Sequence, residues 1–397
     1  MFKKLNAIQG DKVVWAIAGL LAVASFLPVY SSSSNLAYLY GNGNTLSFLI
    51  KHAVHLSFGL MIVYVVHRFP YNYFKGLSYI LLIIAAFLLV FTLLQGTTIQ
   101  GANASRWIQI PGVGISFQPS IFAMYMLMVY TARYLAKMKG NYTSFKQSIL
   151  PLWMPVFIIL ALILPANLST AVMIFGLVLI LAFVGGYPIK YLLVIVGAGI
   201  VGLALFILVA KLIPDFMPNR VDTWINRIEN FRGGENPDDV YQIEKAKIAI
   251  ATGGVTGLGP GKSVQKNFLP QSSSDFIYAI IVEEFGLIGA GFVMILYLWL
   301  LFRILIITNK VPTMFGKLVV IGVGLPIIFQ ALINMAVAVE LFPVTGQTLP
   351  LISSGGTSIG MTCLALGIIL SVSANREITP KETTENNPLD ILIEENG

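Results

Sequence analysis

The chain has 397 residues, 56% of them hydrophobic and only 11% charged, with a mean hydropathy of +0.81. A soluble domain carries about 25% charged residues, so the composition excludes one and leaves an all-α, polytopic membrane protein. The net charge of +7 and the pI near 9.3 do not argue for nucleic-acid binding, because most basic residues fall where short membrane loops retain them.

Apolar runs near bilayer-crossing length, about 17–25 residues each, recur from end to end. In chain order they predict about ten transmembrane helices, at 13–30, 46–67, 77–95, 118–136, 150–165, 168–185, 190–212, 276–302, 316–339 and 351–373. The fifth and sixth are short, and Pro165-Ala166-Asn167 between them reads as a tight turn. The first follows a basic start, but nothing like a cleavage site follows Pro28, so it is expected to stay. Placing the N-terminus inside puts fifteen of the 25 Lys and Arg on one side of the membrane, which predicts cytoplasmic termini. Residues 1–375 form the membrane domain, and the polar, acidic stretch 376–397 reads as a disordered cytoplasmic tail. Cys363, the only cysteine, lies inside the last span as a packing residue.

Three outer segments break the pattern of short connections, at 95–118, 213–275 and 340–356, all on one side; such loops carry function. The longest joins helices 7 and 8 and is divided by charge. It has three basic and seven acidic residues from Ile213 to Glu244, then four basic residues and one acid from Lys245 to Asp275. Val240 to Ala251 predicts a short helix of the kind that lies in a membrane interface. Gly253-Gly254, Gly257, Gly259 and Gly261 before Lys262-Ser263 imitate a phosphate loop, but Thr256 stands where the first glycine belongs and no strand precedes it. These glycines either fold the loop back against the bundle or present backbone N–H groups and Lys262 to a lipid phosphate.

Asp275 closes this segment. A carboxylate at the mouth of a membrane helix is costly to desolvate, so chemistry at the lipid surface explains it better than packing, and it is the candidate catalytic base. The basic approach to it suits an anionic headgroup such as a pyrophosphate, with Arg106, Lys262 and Lys266 as candidate partners. Trp107 beside Arg106 reads as an interface anchor. Gln118-Pro119-Ser120 opens a helix with a proline in its first turn. Ser353, Ser354, Gly355 and Gly356 open the last span, where small residues let helices approach or let backbone reach a ligand. Glu283 and Glu284 fall inside a span and are expected in a structural ion pair, with Glu284 pointing roughly opposite to Asp275. His52 and His55 lack a third ligand, which argues against a metal there.

Together these segments resemble the SEDS family of bacterial cell-wall polymerases, which includes FtsW, RodA and SpoVE. The resemblance rests on Arg106-Trp107-Ile108, Gln118-Pro119-Ser120, Gly253-Gly254 with Gly257 and Gly259, Leu269-Pro270, Asp275-Phe276-Ile277-Tyr278-Ala279, Glu283-Glu284, Asn334, Pro343-Val344-Thr345-Gly346 and Ser353 with Gly355-Gly356-Thr357. It runs from the first helix to about residue 375, and the stretches around Leu168 and Gly346 are closer to the division branch, FtsW, than to RodA. The resemblance implies a ten-helix, inverting glycosyltransferase of the bacterial inner membrane that uses lipid II as donor and acceptor and releases undecaprenyl diphosphate. It also implies Asp275 as the family's essential aspartate on the extracytoplasmic face, a class B penicillin-binding protein and other divisome proteins as partners, and contact with membrane lipids but not nucleic acid. No cofactor is implied with certainty; a divalent cation, magnesium or manganese, could share the pyrophosphate. Ile121, Asn167, Gln271 and Ser273 depart from the family pattern and leave Asp275 more isolated. Two rivals stay open: a lipid II transporter lined by Glu283, Glu284 and Asn334, and a non-catalytic divisome scaffold.

Overall fold

The computed structural model describes residues 8–40, 44–95, 98–99, 102–103, 106–110, 115–138, 145–212, 221, 223–225, 227, 237–269 and 272–374. The expected tail at 376–397, and with it Gln271 and parts of the long loop, lies outside them. Among the described residues, eight helices are long and apolar enough to span a membrane: α1 (Lys12–Tyr40), α2 (Thr45–Val66), α3 (Asn72–Gln95), α5 (Phe145–Ile163), α7 (Ile189–Leu212), α9 (Ile277–Lys310), α10 (Met314–Ala338) and α11 (Gly356–Ser373). Two more complete the bundle, α4 (Pro119–Lys137) and the shorter α6 (Leu168–Val184). A further helix, α8 (Pro237–Gly253), belongs to the long loop. The only strands among the described residues are two short antiparallel hairpins, β1 (Thr98–Ile99) with β2 (Ala102–Asn103) and β3 (Ile108–Ile110) with β4 (Ile115–Phe117).

The core runs along α4, α10 and α11. Helix α4 is rich in Met and Tyr rather than Leu and Ile, and Met124, Tyr125, Met126, Leu127 and Met128 are all buried. In lipid there is no hydrophobic drive to associate, so such packing contributes through dispersion and interhelical hydrogen bonds; Tyr130, for example, donates to the Pro151 carbonyl. Helix α7 lies at the opposite extreme, with only Leu192 and Ile195 buried along its length. The loop helix α8 does not lie free in an interface. It packs on α9 and buries Ala246 and Ala249.

Several boundaries differ from expectation for identifiable reasons. Helix α1 continues ten residues past the predicted end at 30, and the hydroxyls of its serine run are satisfied within the helix by carbonyls three residues back, Ser32 to Val29 at 3.3 Å and Ser34 to Ser31 at 2.8 Å. Helix α5 starts earlier and takes a π-turn over Ile149–Trp153, which contains Pro151, a residue without an N–H to give. Helix α11 starts later, because residues 351–355 belong to a turn instead.

Helix α9 is broken at Gly286 (φ 65, ψ −167), and the break is filled by the glycine turn after α8. Leu258 and Gly259 donate their amides to the Glu283 and Glu284 carbonyls, both at 2.9 Å, while Leu287 donates to Gly254 O at 3.0 Å and Ile288 to Val255 O at 3.3 Å. Backbone groups freed inside a membrane protein must find partners within the protein, and this loop supplies them. The approach is so close that a Cβ on Gly257 would stand 2.2 Å from Glu284 O, and one on Gly286 2.2 Å from Val255 O. The glycine motif is therefore a backbone plug for a broken helix.

Candidate active site

The starts of α4, α6, α9 and α11 and the end of α10 meet at one rim of the bundle, and Asp275 sits there two residues before α9. Its backbone is held from two sides. Asn334 on α10 donates Nδ2 to Asp275 O at 2.8 Å, and the turn before α11 clamps the two residues preceding Asp275. Ser353 Oγ donates to Ser274 O at 2.6 Å while accepting from Leu349 N at 2.8 Å, and Ser354 directs both its amide (2.9 Å) and its hydroxyl (3.1 Å) to Ser273 O. The same turn contains Leu351, a buried non-glycine residue at φ 64, a conformation that costs about 1–2 kcal/mol and is held by this surrounding network. Gly346 takes a left-handed conformation (φ +68) beside the carboxyl, where an added Cβ would be in ordinary contact with Asp275 Oδ2 at 3.4 Å.

The carboxyl of Asp275 is partly buried. Burial pushes its pKa above the ordinary carboxylate value, and the Ser274 hydrogen bond and the positive fields of Arg106 and Arg227 pull it back without cancelling that effect. Arg106 is tethered by Nε to the Ala166 carbonyl at 2.7 Å, in the turn before α6 where Asn167 caps the helix by accepting from Thr170 N at 3.2 Å. Asparagine serves that cap as well as an aspartate would. Arg106, Ser120 and Asn167 line a small pocket with Leu89 and Leu162. Arg227 reaches the turn before α11, where Nη1 donates to Val344 O at 3.1 Å.

The predicted site residues separate into two groups. Around Asp275 the structure brings together Arg106, Ser353 and Ser354, with both serines acting as clamps on the Asp275 strand. Gln118 lies close by, where its amide donates to Thr357 Oγ1 at 3.2 Å and its side chain to Ser120 Oγ at 3.1 Å. Trp107 is partly buried beside Arg106. Gly355 caps α11, and Gly356 packs face to ring with His55, leaving 3.0 Å between a would-be Cβ and Nε2. The loop lysines belong elsewhere. The Lys266 ammonium is bonded to Ser31 Oγ (3.1 Å) and Gly261 O (2.8 Å), and Lys262 is solvent-exposed beside Gly259.

Glu283 and Glu284 make no direct ion pair among the described residues, contrary to expectation. Glu283 is satisfied by the turn it faces, accepting the Ser263 hydroxyl, Val264 N at 3.0 Å and Gln265 N at 3.2 Å. Glu284 accepts from Ser31 Oγ and Ser263 N, and Lys266, bonded to the same Ser31 hydroxyl, adds its positive field without a direct contact. Amides and hydroxyls already positioned by the plug solvate these carboxylates, and that removes the need for a buried countercharge. His52 is fixed by Ser25 Oγ at 2.8 Å and the edge of Phe26. Among the described residues no three His, Cys, Asp or Glu side chains converge.

Arg227, Thr170, Gln347 and Asn334 lie in stretches that carry the family resemblance, but sequence reasoning assigned the first three no role and did not foresee the clamping role of Asn334. Three of these are polar residues in or beside apolar spans, where each must be hydrogen-bonded, and that signal was available. Arg227 comes from a charged loop, where the family resemblance marks it but no local pattern gives it a role.

Fold and site together define a multi-pass α-helical membrane protein with a carboxylate flanked by two arginines at one rim. The chain belongs to the family of FtsW, RodA and SpoVE, described as cell cycle proteins, whose profile matches residues 11–378. It is 31% identical over 366 residues to stage V sporulation protein E of Bacillus subtilis, covering 91% of this chain and 96% of that one. It is 32% identical over 383 residues to the probable peptidoglycan glycosyltransferase FtsW of Saccharophagus degradans, covering 94% and 96%. Among solved structures, a chain of a peptidoglycan synthase complex that coordinates polymerization and crosslinking superimposes with a TM-score of 0.70 at 24% identity, covering 93% of this chain and 99% of that chain. The rod shape determining protein RodA of Thermus thermophilus gives 0.64 at 23% identity, with 92% and 97% covered.

Proposed function

We propose that this protein polymerises peptidoglycan glycan strands from lipid II in cell division, with Asp275 as the base. The observation that carries this reading is the placement of Asp275: a partly buried carboxylate at a rim, its backbone fixed from α10 and from the turn before α11, with Arg106 and Arg227 biasing it toward ionisation. Asp275 accepts the proton of an acceptor sugar hydroxyl, the GlcNAc 4-OH, as the oxygen attacks the anomeric carbon of the lipid-linked donor. The bond from that carbon to the pyrophosphate breaks, undecaprenyl diphosphate leaves, and direct displacement inverts the anomer to a β-linkage. The leaving group is already activated, so one base and charge stabilisation suffice, without the second carboxylate of glycoside hydrolases.

Arg106 is the cation of choice for the pyrophosphate, since a guanidinium fork matches phosphate oxygens. Lys262, exposed on the plug loop, meets the headgroup on approach. The likeness to FtsW proteins and to a synthase complex that couples polymerization to crosslinking supports a class B penicillin-binding protein as partner. The basic loops support cytoplasmic termini, with the Asp275 rim on the extracytoplasmic face. The test is glycan polymerisation from labelled lipid II by the purified protein with that partner. Asp275→Ala and Asp275→Asn should abolish polymer while leaving membrane insertion and the melting temperature intact. Undiminished polymer in either variant refutes the base assignment, and lipid movement across a vesicle without polymer supports transport instead.

A further inference from the structure

A line of buried polar groups runs from Asp275 to the perch of Arg106. Asn334 uses both amide hydrogens, one on Asp275 O and one on Gln347 O, each at 2.8 Å. Gln347 in turn donates Nε2 to Thr170 Oγ1 at 2.9 Å. Thr170 lies in the first turn of α6, whose cap Asn167 follows Ala166, the residue whose carbonyl holds Arg106 Nε. Asn334, Gln347 and Thr170 are 1%, 7% and 3% exposed. Asn334 satisfies two backbone carbonyls, but Gln347 and Thr170 bond side chain to side chain, and replacing both partners of such a pair with apolar groups of like shape is close to neutral for stability. Stability alone therefore gives little reason for the Gln347–Thr170 link.

What the connection joins supplies the reason. Asp275 and Arg106 both stand on non-helical segments, attached to different helices, and the line of hydrogen bonds ties α9, α10, the turn before α11 and α6 into one frame. We propose that Asn334, Gln347 and Thr170 are positioning residues that fix the separation of Asp275 from Arg106, and so the distance between the proton-accepting and pyrophosphate-holding ends of the site. This inference rests on the reading of Asp275 as the base. Among the described residues the charged groups that bear on Asp275 are Arg106, from the segment between α3 and α4, and Arg227, from the long loop; letting Arg106 drift weakens one of the two fields that favour the carboxylate.

The experiment measures the rate of polymerisation of labelled lipid II against pH, using the full chain with its class B partner. Thr170→Val and Gln347→Met remove the same hydrogen bond from opposite ends with little change of shape. Each should move the acid limb of the profile to higher pH, lowering the ratio of acid-limb rate to plateau rate by about three-fold, since a nearby opposite charge is a main determinant of carboxylate ionisation. The double variant should do no more than either single one, because both cut one interaction. Arg106→Gln should move the limb in the same direction and further, and Thr170→Ser, which keeps the hydroxyl, should leave it where it is. A plateau lowered at every pH with an unmoved limb, an additive double variant, or a Thr170→Ser limb displaced like that of Thr170→Val would overturn the proposal. Should Thr170→Val not fold, Gln347→Met and Thr170→Ser decide alone. Polymer made by Asp275→Asn would instead bring down the base assignment, whatever the limb does.

Discussion

Gly257→Ala is the sharpest test of the plug that fills the break in α9. An added methyl would stand 2.2 Å from Glu284 O and 2.6 Å from Gly286 N, both backbone atoms, at φ +77. Neither neighbour can turn aside, so the loop must lift. The left-handed conformation costs alanine about 1–2 kcal/mol. Lifting the loop also weakens the four backbone hydrogen bonds that cross the break, each worth about 0.5–1.5 kcal/mol, and if half of their total is lost the sum is about 4 kcal/mol. Gly261→Ala is the matched control: its φ is +76, but nothing lies within 4 Å of an added Cβ, so it carries only the conformational cost of about 1–2 kcal/mol. Melting followed by intrinsic tryptophan fluorescence in detergent should place Gly257→Ala several degrees below Gly261→Ala. If the two variants melt together, the loop is not seated in the break and the backbone accounting for α9 is wrong.

Two further stability predictions follow from buried carboxylates. At the opposite rim Asp11 caps α1 through Val13 N (2.9 Å) and Val14 N (3.2 Å) and receives Arg303 Nε at 2.7 and 2.8 Å. Burial pushes its pKa up, but the hydrogen bonds and charge of Arg303 and the two α1 amides outweigh burial and hold it below 3.8. A depressed folded-state pKa gives stability that is present above the unfolded value and lost as pH falls through the folded one. Asp11→Asn should therefore lower the melting temperature at pH 7 by an amount equivalent to about 1–2 kcal/mol, with the gap closing as pH falls below 3.8; a gap that persists in acid refutes the assignment. In α9, Glu283→Gln keeps an oxygen for Val264 N and Gln265 N but removes the charge that strengthens those bonds and turns its NH2 toward the Ser263 hydroxyl, and should cost about 1.5–3 kcal/mol. Glu284→Gln can keep its oxygen on Ser31 and Ser263 and lies with Oε2 unpartnered in the parent, so it should cost much less. The reverse order of melting temperatures would show the cluster misread.

How much of this was legible depended on whether a residue's meaning is local. The spans were readable because apolar length alone decides crossing, and Asp275 stood out because it is the one acid in a basic, glycine-rich approach to a span. Lys266 was read as a pyrophosphate partner from the net charge of its loop, which does not say where an individual ammonium sits. Ser31, in a serine run that looked like the end of α1, stays helical and draws the ammonium to the Glu284 side. Arg227 and Gln347 gain their roles only when loops distant in sequence converge, and no spacing rule links residues 170, 334 and 347.

The break in α9 shows where the two kinds of information could have been joined. A glycine within a membrane helix is common and by itself predicts nothing. A helix that opens there nevertheless exposes backbone groups that lipid cannot satisfy, so a second segment must be able to approach backbone to backbone. The glycine turn at 253–261 is such a segment and precedes the break by about one loop. Read as a pair, Gly257 and Gly286 predict the contact that neither predicts alone. The contact has a consequence for the site: the plug grips α9 at Glu283 to Ile288, and Asp275 stands two residues before the same helix begins. The loop that carries Lys262 and Lys266 is thus bonded to the same helix whose start follows Asp275.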